Sequence, residues 1–211
     1  IRQEKTVQGW YLDKSFGRRP VRGLEPGRNE ILIERLYQEK SELEACYLLG
    51  DFGVFRDAGK GRVIRGPVRE LSCGDWTLQG LLHYAGSVVY QYEMPGQRQQ
   101  RTADADTGYM LRLGRCKAVC ATVRFNGKET EVPWKARGDV WIPACVMQEK
   151  NRCEIEVFSS PRNMLGPFHL AGGRPWTTNA GCFKASGEKY TRNYQTVPYG
   201  LMETPELWEA E

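Results

Sequence analysis

The sequence predicts an all-β protein of the sandwich type, and three observations carry that expectation. Gly and Pro are frequent, 23 and 11 in 211 residues, and are spread along the chain as punctuation. Between them lie short runs in which apolar and polar residues alternate with period two. No long stretch with the 3.6-residue period of an amphipathic helix competes with them. Many short strands separated by turn signals form the pattern of a β-sandwich.

The bulk numbers bound the function classes. The length allows one large or two small domains with a sizeable core. Hydrophobic content of 40% and charged content of 27% are ordinary for a globular chain. The net charge of +4 is small, and Lys and Arg are interleaved with Glu and Asp, so a nucleic-acid partner is not expected. No apolar run reaches the roughly 18 residues of a membrane helix, and no signal peptide opens the chain. A start at Ile1 instead of Met reads as a processed or truncated end. The seven cysteines, an odd and irregularly spaced set, read as free thiols and weakly favour a reducing, cytoplasmic compartment. An extracellular location follows instead if a leader was removed.

In chain order, Gly9 to Asp13 opens the first segment. Leu24 to Ile33 carries a Pro26-Gly27 turn and then strand-forming residues. Ser41 to Leu49 has a helix-like start, but Leu43, Ala45, Tyr47 and Leu49 alternate, which favours a strand. Asp57 to Gly66 is a hairpin or a linker. These residues, 1–66, form N-terminal strands, either part of a truncated first sandwich or joined to the second, which runs over 67–211.

Gly74 to Tyr92 is the centre of the second part. Its first half is irregular and dense in contact-forming groups. Its second half is a strand, with Val88, Tyr90 and Tyr92 on one face and Val89 and Gln91 on the other. A polar loop, Pro95 to Asp106, follows, then a strand from Tyr109 to Leu113. Val119, Ala121, Val123 and Phe125 alternate with Cys120, Thr122 and Arg124. Asn126-Gly127 then sits where a two-residue hairpin turn belongs, because both residues tolerate positive φ. Glu129 to Val132 returns. Val140 and Ile142 define a further strand, with Trp141 on its opposite face. Cys153, Ile155 and Val157 define another, with Glu154 and Glu156 outward. One echo, Pro26–Ile33 against Glu149–Val157, hints at two related halves. From Ser160 onward, long aromatic-rich loops suggest a binding face or a clamp.

Several segments together resemble a known group. Leu43–Val54, Gly74-Asp75-Trp76-Thr77 with Gln79-Gly80, and Tyr84-Ala85-Gly86 resemble stretches of bacterial glycoside-hydrolase-like proteins. Val123-Arg124-Phe125-Asn126-Gly127-Lys128 resembles a hairpin of the galactose-binding-like sandwiches that accompany glycoside hydrolase family 2 and rhamnosidase-like relatives. Arg162-Asn163-Met164-Leu165-Gly166-Pro167-Phe168-His169 resembles their R-N-x-L-G-P-x-H loop, and Tyr199 to Met202 their closing strand. Two positions depart from that pattern: Leu82-His83 stands where Pro-Phe is usual, and Phe168 where a second His is common. The resemblance implies a galactose-binding-like jelly-roll β-sandwich, accessory to a catalytic domain upstream in the same polypeptide. It also implies that the catalytic barrel, about 200–250 residues of alternating strands and helices, is not in this chain.

Candidate site residues follow from chemistry. Sugar rings present apolar C–H faces that stack on aromatic rings, while their hydroxyls seek planar polar partners. The carbohydrate-binding candidates are Trp76, Gln79, His83, Tyr84, Asn163, His169 and Trp176. Trp134 and Trp141 are further platforms, each with a core or interface alternative. Glycoside hydrolysis needs paired carboxylates, about 5 Å apart for retention or about 6.5–9.5 Å for inversion. Asp51 and Asp75 each follow a Gly and read as turn caps. Asp104 and Asp106 are solvated or are the candidates for a structural calcium. His83 and His169 either bind hydroxyls or tie down their own loops, and no nucleophile elbow accompanies them. The expected function is a non-catalytic carbohydrate-binding or accessory domain of a glycoside hydrolase. The alternative is a purely structural sandwich packed on the catalytic domain.

Overall fold

The computed structural model describes residues 8–34, 36–39, 45–57, 61–96, 107–132, 138–173 and 175–209. Trp134, Asp104, Asp106 and the start of the 41–49 segment lie outside them. The chain separates into two compact units, Ile1–Leu49 and Gly50–Glu211. The division falls earlier than residue 66, so the hairpin assigned to the first part belongs to the second unit.

In the first unit, β1 (Trp10–Tyr11) and β2 (Asp13–Gly17) form a small antiparallel pair. The turn between them places Leu12 at φ 62°. The Pro26-Gly27 turn is closed by Asn29, whose Nδ2 donates to the Glu25 and Gly27 carbonyls while its Oδ1 accepts the Glu25 N–H. The strands expected over 29–33 and 45–49 are absent. Ile31, Leu32 and Ile33 are exposed and have no ladder partner among the described residues. Alternation organises a strand only where one face is buried, and among the described residues the buried hydrophobic ones all lie in the second unit. The echo between 26–33 and 149–157 therefore pairs an unladdered segment with a core strand.

The second unit is all-β. β3 (Gly53–Asp57) and β4 (Gly61–Arg65) form a hairpin. After a single 3₁₀ turn at Trp76–Leu78 come β5 (Ser87–Pro95), β6 (Gly108–Arg112), β7 (Cys116–Lys117), β8 (Cys120–Phe125), β9 (Lys128–Glu131), β10 (Asp139–Pro143) and β11 (Lys150–Phe158). A four-residue helix, α1 (Arg162–Leu165), precedes the long loops. β12 (Gly200–Leu201) and β13 (Glu206–Glu209) close the unit. One antiparallel sheet runs β5-β11-β8-β9 and a second runs β10-β6-β13, while β12 pairs with β7.

The sequence alternation sets which faces are buried. Ala121, Val123 and Phe125 of β8 are buried, as are Cys153, Ile155 and Val157 of β11 and Tyr90 and Met94 of β5. Leu111 of β6 and Val140 and Ile142 of β10 join all of these but Ala121 in one hydrophobic cluster shared by the two larger sheets. Val119, expected in the inward row, is exposed because it precedes the first β8 residue. On the outward face of the four-stranded sheet, Arg124 links Glu129 and Glu154, and Arg152 also reaches Glu154. Exposed pairs of this kind contribute little individually.

Asn126 and Gly127 take φ 48° and 85° and form the tight β8–β9 turn. Asn126 does more than turn the chain. Its Nδ2 donates to the Val146 carbonyl and to Oδ1 of buried Asn151, and its Oδ1 accepts the Arg152 N–H. Asn151 also accepts the Gln148 N–H and donates to the Pro95 carbonyl. All seven cysteines are free. Burial pushes the Cys153 thiol up to about 12, so it packs as a small hydrophobe. Among the described residues, no helix is long and apolar enough to cross a membrane.

Candidate functional site: a cleft beside β5 and a laced loop cluster

The loop before β5 is built by its own side chains. Asp75 caps the 3₁₀ turn, its Oδ1 accepting the Thr77 N–H at 2.9 Å and the Tyr199 N–H at 3.4 Å. Gln79 holds Ser72 by both backbone groups: Oε1 accepts the N–H at 2.9 Å and Nε2 donates to the carbonyl at 3.1 Å. Trp76 is fully buried, edge-on to Tyr84 and tilted against Tyr199. It is a core residue and presents no ring face to a ligand.

A second set of loops meets the β3–β4 hairpin. Buried Asn163 donates from Nδ2 to the Val197 carbonyl at 2.7 Å and accepts the Val197 N–H at 2.8 Å. Its own carbonyl lies 2.6 Å from His83 Nδ1, so that nitrogen carries the proton and donates. His169 Nδ1 donates in the same way to the Thr191 carbonyl at 3.0 Å. Phe168 and Tyr194 stack with centroids 4.7 Å apart, and both histidine rings meet Tyr194 edge-on. Arg62 lies 3.3 Å over the Tyr194 ring, and Arg56 donates to the Thr196 hydroxyl at 2.8 Å. Burial lowers the His83 pKa, the hydrogen bond to Asn163 raises it, and the charges of Arg62 and Arg56 lower it further.

A shallow cleft of about 470 Å³ lies beside β5. Tyr84, Tyr92, Gln91, Asp51 and Arg69 line it, with apolar Phe52, Val68 and Leu71 between them. Five consecutive β5 residues, Val88 to Tyr92, border it. Side chains alternate across a strand, so the cleft runs along the open edge of β5. The Ser159 N–H bonds Gly86 and the Val119 N–H bonds Phe158, which fixes the phase of the ladder. With the β5–β11 register, Val88, Tyr90 and Tyr92 direct their backbone groups to β11, and Val89 and Gln91 direct theirs into the cleft. Tyr84 donates its hydroxyl to the Ser87 carbonyl. The Tyr92 hydroxyl lies 3.0 Å from Cys73 Sγ, and burial, then that contact, raises its pKa.

The seven candidate residues therefore divide. Gln79, His83, Asn163 and His169 tie backbone together, Trp76 fills the core, Tyr84 lines the cleft, and Trp176 is fully exposed. Asp51 lines the cleft while Asp75 is occupied as a cap. Sequence reasoning missed Arg56, Arg62 and Val197, whose roles arise from pairings across more than 30 residues. Among the described residues, no group of three or more His, Cys, Asp or Glu side chains is placed to hold a metal ion.

No protein-family model matches the chain. No curated protein matches it either. Among solved structures it is similar to a rhamnosidase from Novosphingobium sp. PP1Y, at 20% identity and a TM-score of 0.43. The match covers 87% of this chain and 16% of that enzyme, so the chain spans a small part of the enzyme's length.

Proposed function

We propose that this chain is a non-catalytic accessory module of a carbohydrate-active protein. In this reading it is a galactose-binding-like jelly-roll sandwich that works with a catalytic domain of the same polypeptide and holds a neutral sugar in the cleft beside β5. The observation that carries the reading is the lining of that cleft. Tyr84 and Tyr92 offer ring surface, Gln91, Asp51 and Arg69 offer planar polar groups, and the strand edge adds backbone donors and acceptors. That mixture suits a ligand with apolar ring faces and many hydroxyls. The cleft is shallow, so binding is weak, because much of the gain offsets desolvation of hydroxyls.

The non-catalytic part of the reading is supported by how the reactive groups are used. Asp75 is a cap, and each histidine donates its Nδ1 proton to a backbone carbonyl. A second reading, a purely structural sandwich, is favoured by Gln79 and Asn163, whose amides each close a ring on one backbone unit.

Titration with a panel of neutral mono- and oligosaccharides, followed calorimetrically, tests the first reading. Saturable binding that Tyr84→Ala and Gln91→Ala weaken at least fivefold supports it. Binding to none of the panel leaves the structural reading, and turnover of aryl-glycosides by this chain overturns both.

A further inference from the structure

Two rows of side chains cross the outward face of the β10-β6-β13 sheet. The register aligns Trp141 with Met110 and Met110 with Trp208. Two residues further along, it aligns Asp139 with Arg112 and Arg112 with Glu206. The intervening residues Val140 and Leu111 are buried, which places both rows on the side away from the core. Trp141 remains 40% exposed and Trp208 51%. Two inter-strand steps separate the backbone positions of Trp141 and Trp208, a span of about 10 Å, and the two rows lie about 7 Å apart.

The rings are held. A Cβ at Gly108 would lie 2.5 Å from Trp141 Cζ2, so the indole occupies the space above that glycine and lies along the sheet. Trp208 donates its Nε1 proton to the Glu206 carboxylate at 3.2 Å, and the Arg112 guanidinium sits 5.3 Å from its ring centroid. Arg112 also faces Asp139 at 3.9 Å. Arg112 and Glu206 form one wall of a second cleft, of about 450 Å³, that opens beside the charged row. An open aromatic row therefore adjoins a row of planar polar groups and a recess.

The geometry points to a second carbohydrate site on this face, a flat platform for a neutral polysaccharide chain of equatorially linked pyranoses. The inference rests on the carbohydrate reading above and extends it from a small-sugar cleft to a polymer surface. The backbone span between the two tryptophans is on the scale of alternate rings of an extended chain, whose apolar C–H faces meet Trp141 and Trp208. Hydroxyls along the chain edge meet Asp139, Arg112 and Glu206. Charge decides for a neutral ligand: the lone cation of the charged row is flanked by two carboxylates, so an anionic polymer gains nothing here and is repelled. Trp141 and Trp208 are the exposed large apolar side chains of this sheet.

Affinity electrophoresis of the full chain in native gels containing hydroxyethyl cellulose, glucomannan or xylan tests the platform. Retardation is expected in at least one gel. Trp141→Ala and Trp208→Ala should each weaken it at least tenfold and Trp141→Phe less, while Phe183→Ala, an exposed aromatic elsewhere, keeps it. Thermal unfolding checks each variant, and if Trp141→Ala unfolds, Trp208→Ala and Trp141→Phe decide. Retardation that survives both alanine changes overturns the platform, as does its absence from all three gels, including where the two tryptophans capture a protein instead. Oligosaccharide binding that remains sensitive to Tyr84→Ala would then leave the cleft standing, whereas loss of both kinds of binding overturns the two proposals together.

Discussion

Asn163 holds Val197 by both halves of its backbone. Its amide donates to the Val197 carbonyl and accepts the Val197 N–H, at 2.7 and 2.8 Å, from a fully buried position. The pair reproduces with one side chain what a strand neighbour would supply. It joins two segments 34 residues apart, and its backbone carbonyl accepts a hydrogen bond from His83 Nδ1 as well. A residue expected at a ligand is thus a clamp on the fold.

Replacing Asn163 by Ala leaves both Val197 backbone groups, in a part-buried position, without their partner. Two part-buried hydrogen bonds lost with their partners left unpaired cost about 1–3 kcal/mol. Asn163→Asp retains the acceptor but sets a carboxylate oxygen against the Val197 carbonyl, so it should be no milder at neutral pH. Urea unfolding measures both, and a loss below about 1 kcal/mol for Asn163→Ala would contradict the clamp.

His83 makes this clamp sensitive to acid. Its pKa is lowered in the folded chain, first by burial. Above the unfolded value of 6.5 the ring is neutral in both states, and its contribution is fully present. As pH falls below that value, the unfolded chain takes up the proton before the folded chain does, and stability declines. The decline ends below the lowered folded pKa. His83→Asn keeps an N–H for the Asn163 carbonyl and removes the titration. The wild-type minus variant stability, measured from pH 8 to pH 5, should fall on the acid side, and a pH-independent difference would sink the assignment.

The strands of the second unit were legible because burial enforces their alternation: Val123 and Phe125, or Ile155 and Val157, are apolar where the core demands it. The Asn126-Gly127 turn was legible because its backbone requires residues that accept positive φ. The first unit was misread because Ile31 to Ile33 have strand-forming side chains and no buried face to organise them. The site was only partly legible. Composition marks Trp76, Asn163 and His83 as contact-forming residues, but whether such a residue meets solvent or Val197 depends on pairings across the chain. Trp141 and Trp208 became a row only through the register of β6 between them.

The β8–β9 turn separates backbone from side-chain effects. Gly127→Ala retains every Asn126 bond and meets open space, so it carries only the left-handed strain of φ 85°, about 1 kcal/mol. Asn126→Gly keeps the backbone free but removes the contacts to Val146, Asn151 and Arg152, leaving buried Asn151 short of a donor. Asn126→Ala combines both costs. The expected order of destabilisation is Asn126→Ala, then Asn126→Gly, then Gly127→Ala, read from chemical unfolding. Equal losses for the last two would show that the Asn126 side chain contributes nothing.

Trp76 and Trp176 give opposite outcomes for the same substitution. Trp76 is sealed between Tyr84 and Tyr199 and belongs to the central cluster, so Trp76→Ala opens a cavity and should cost about 3–5 kcal/mol. Trp176 is fully exposed, so Trp176→Ala should stay within about 0.5 kcal/mol of wild type. Intrinsic fluorescence supplies a second readout. Removing Trp76 should take away emission shielded from acrylamide, and removing Trp176 should take away the most readily quenched component. A stable Trp76→Ala protein whose lost emission was freely quenched would place that indole at the surface and contradict its burial.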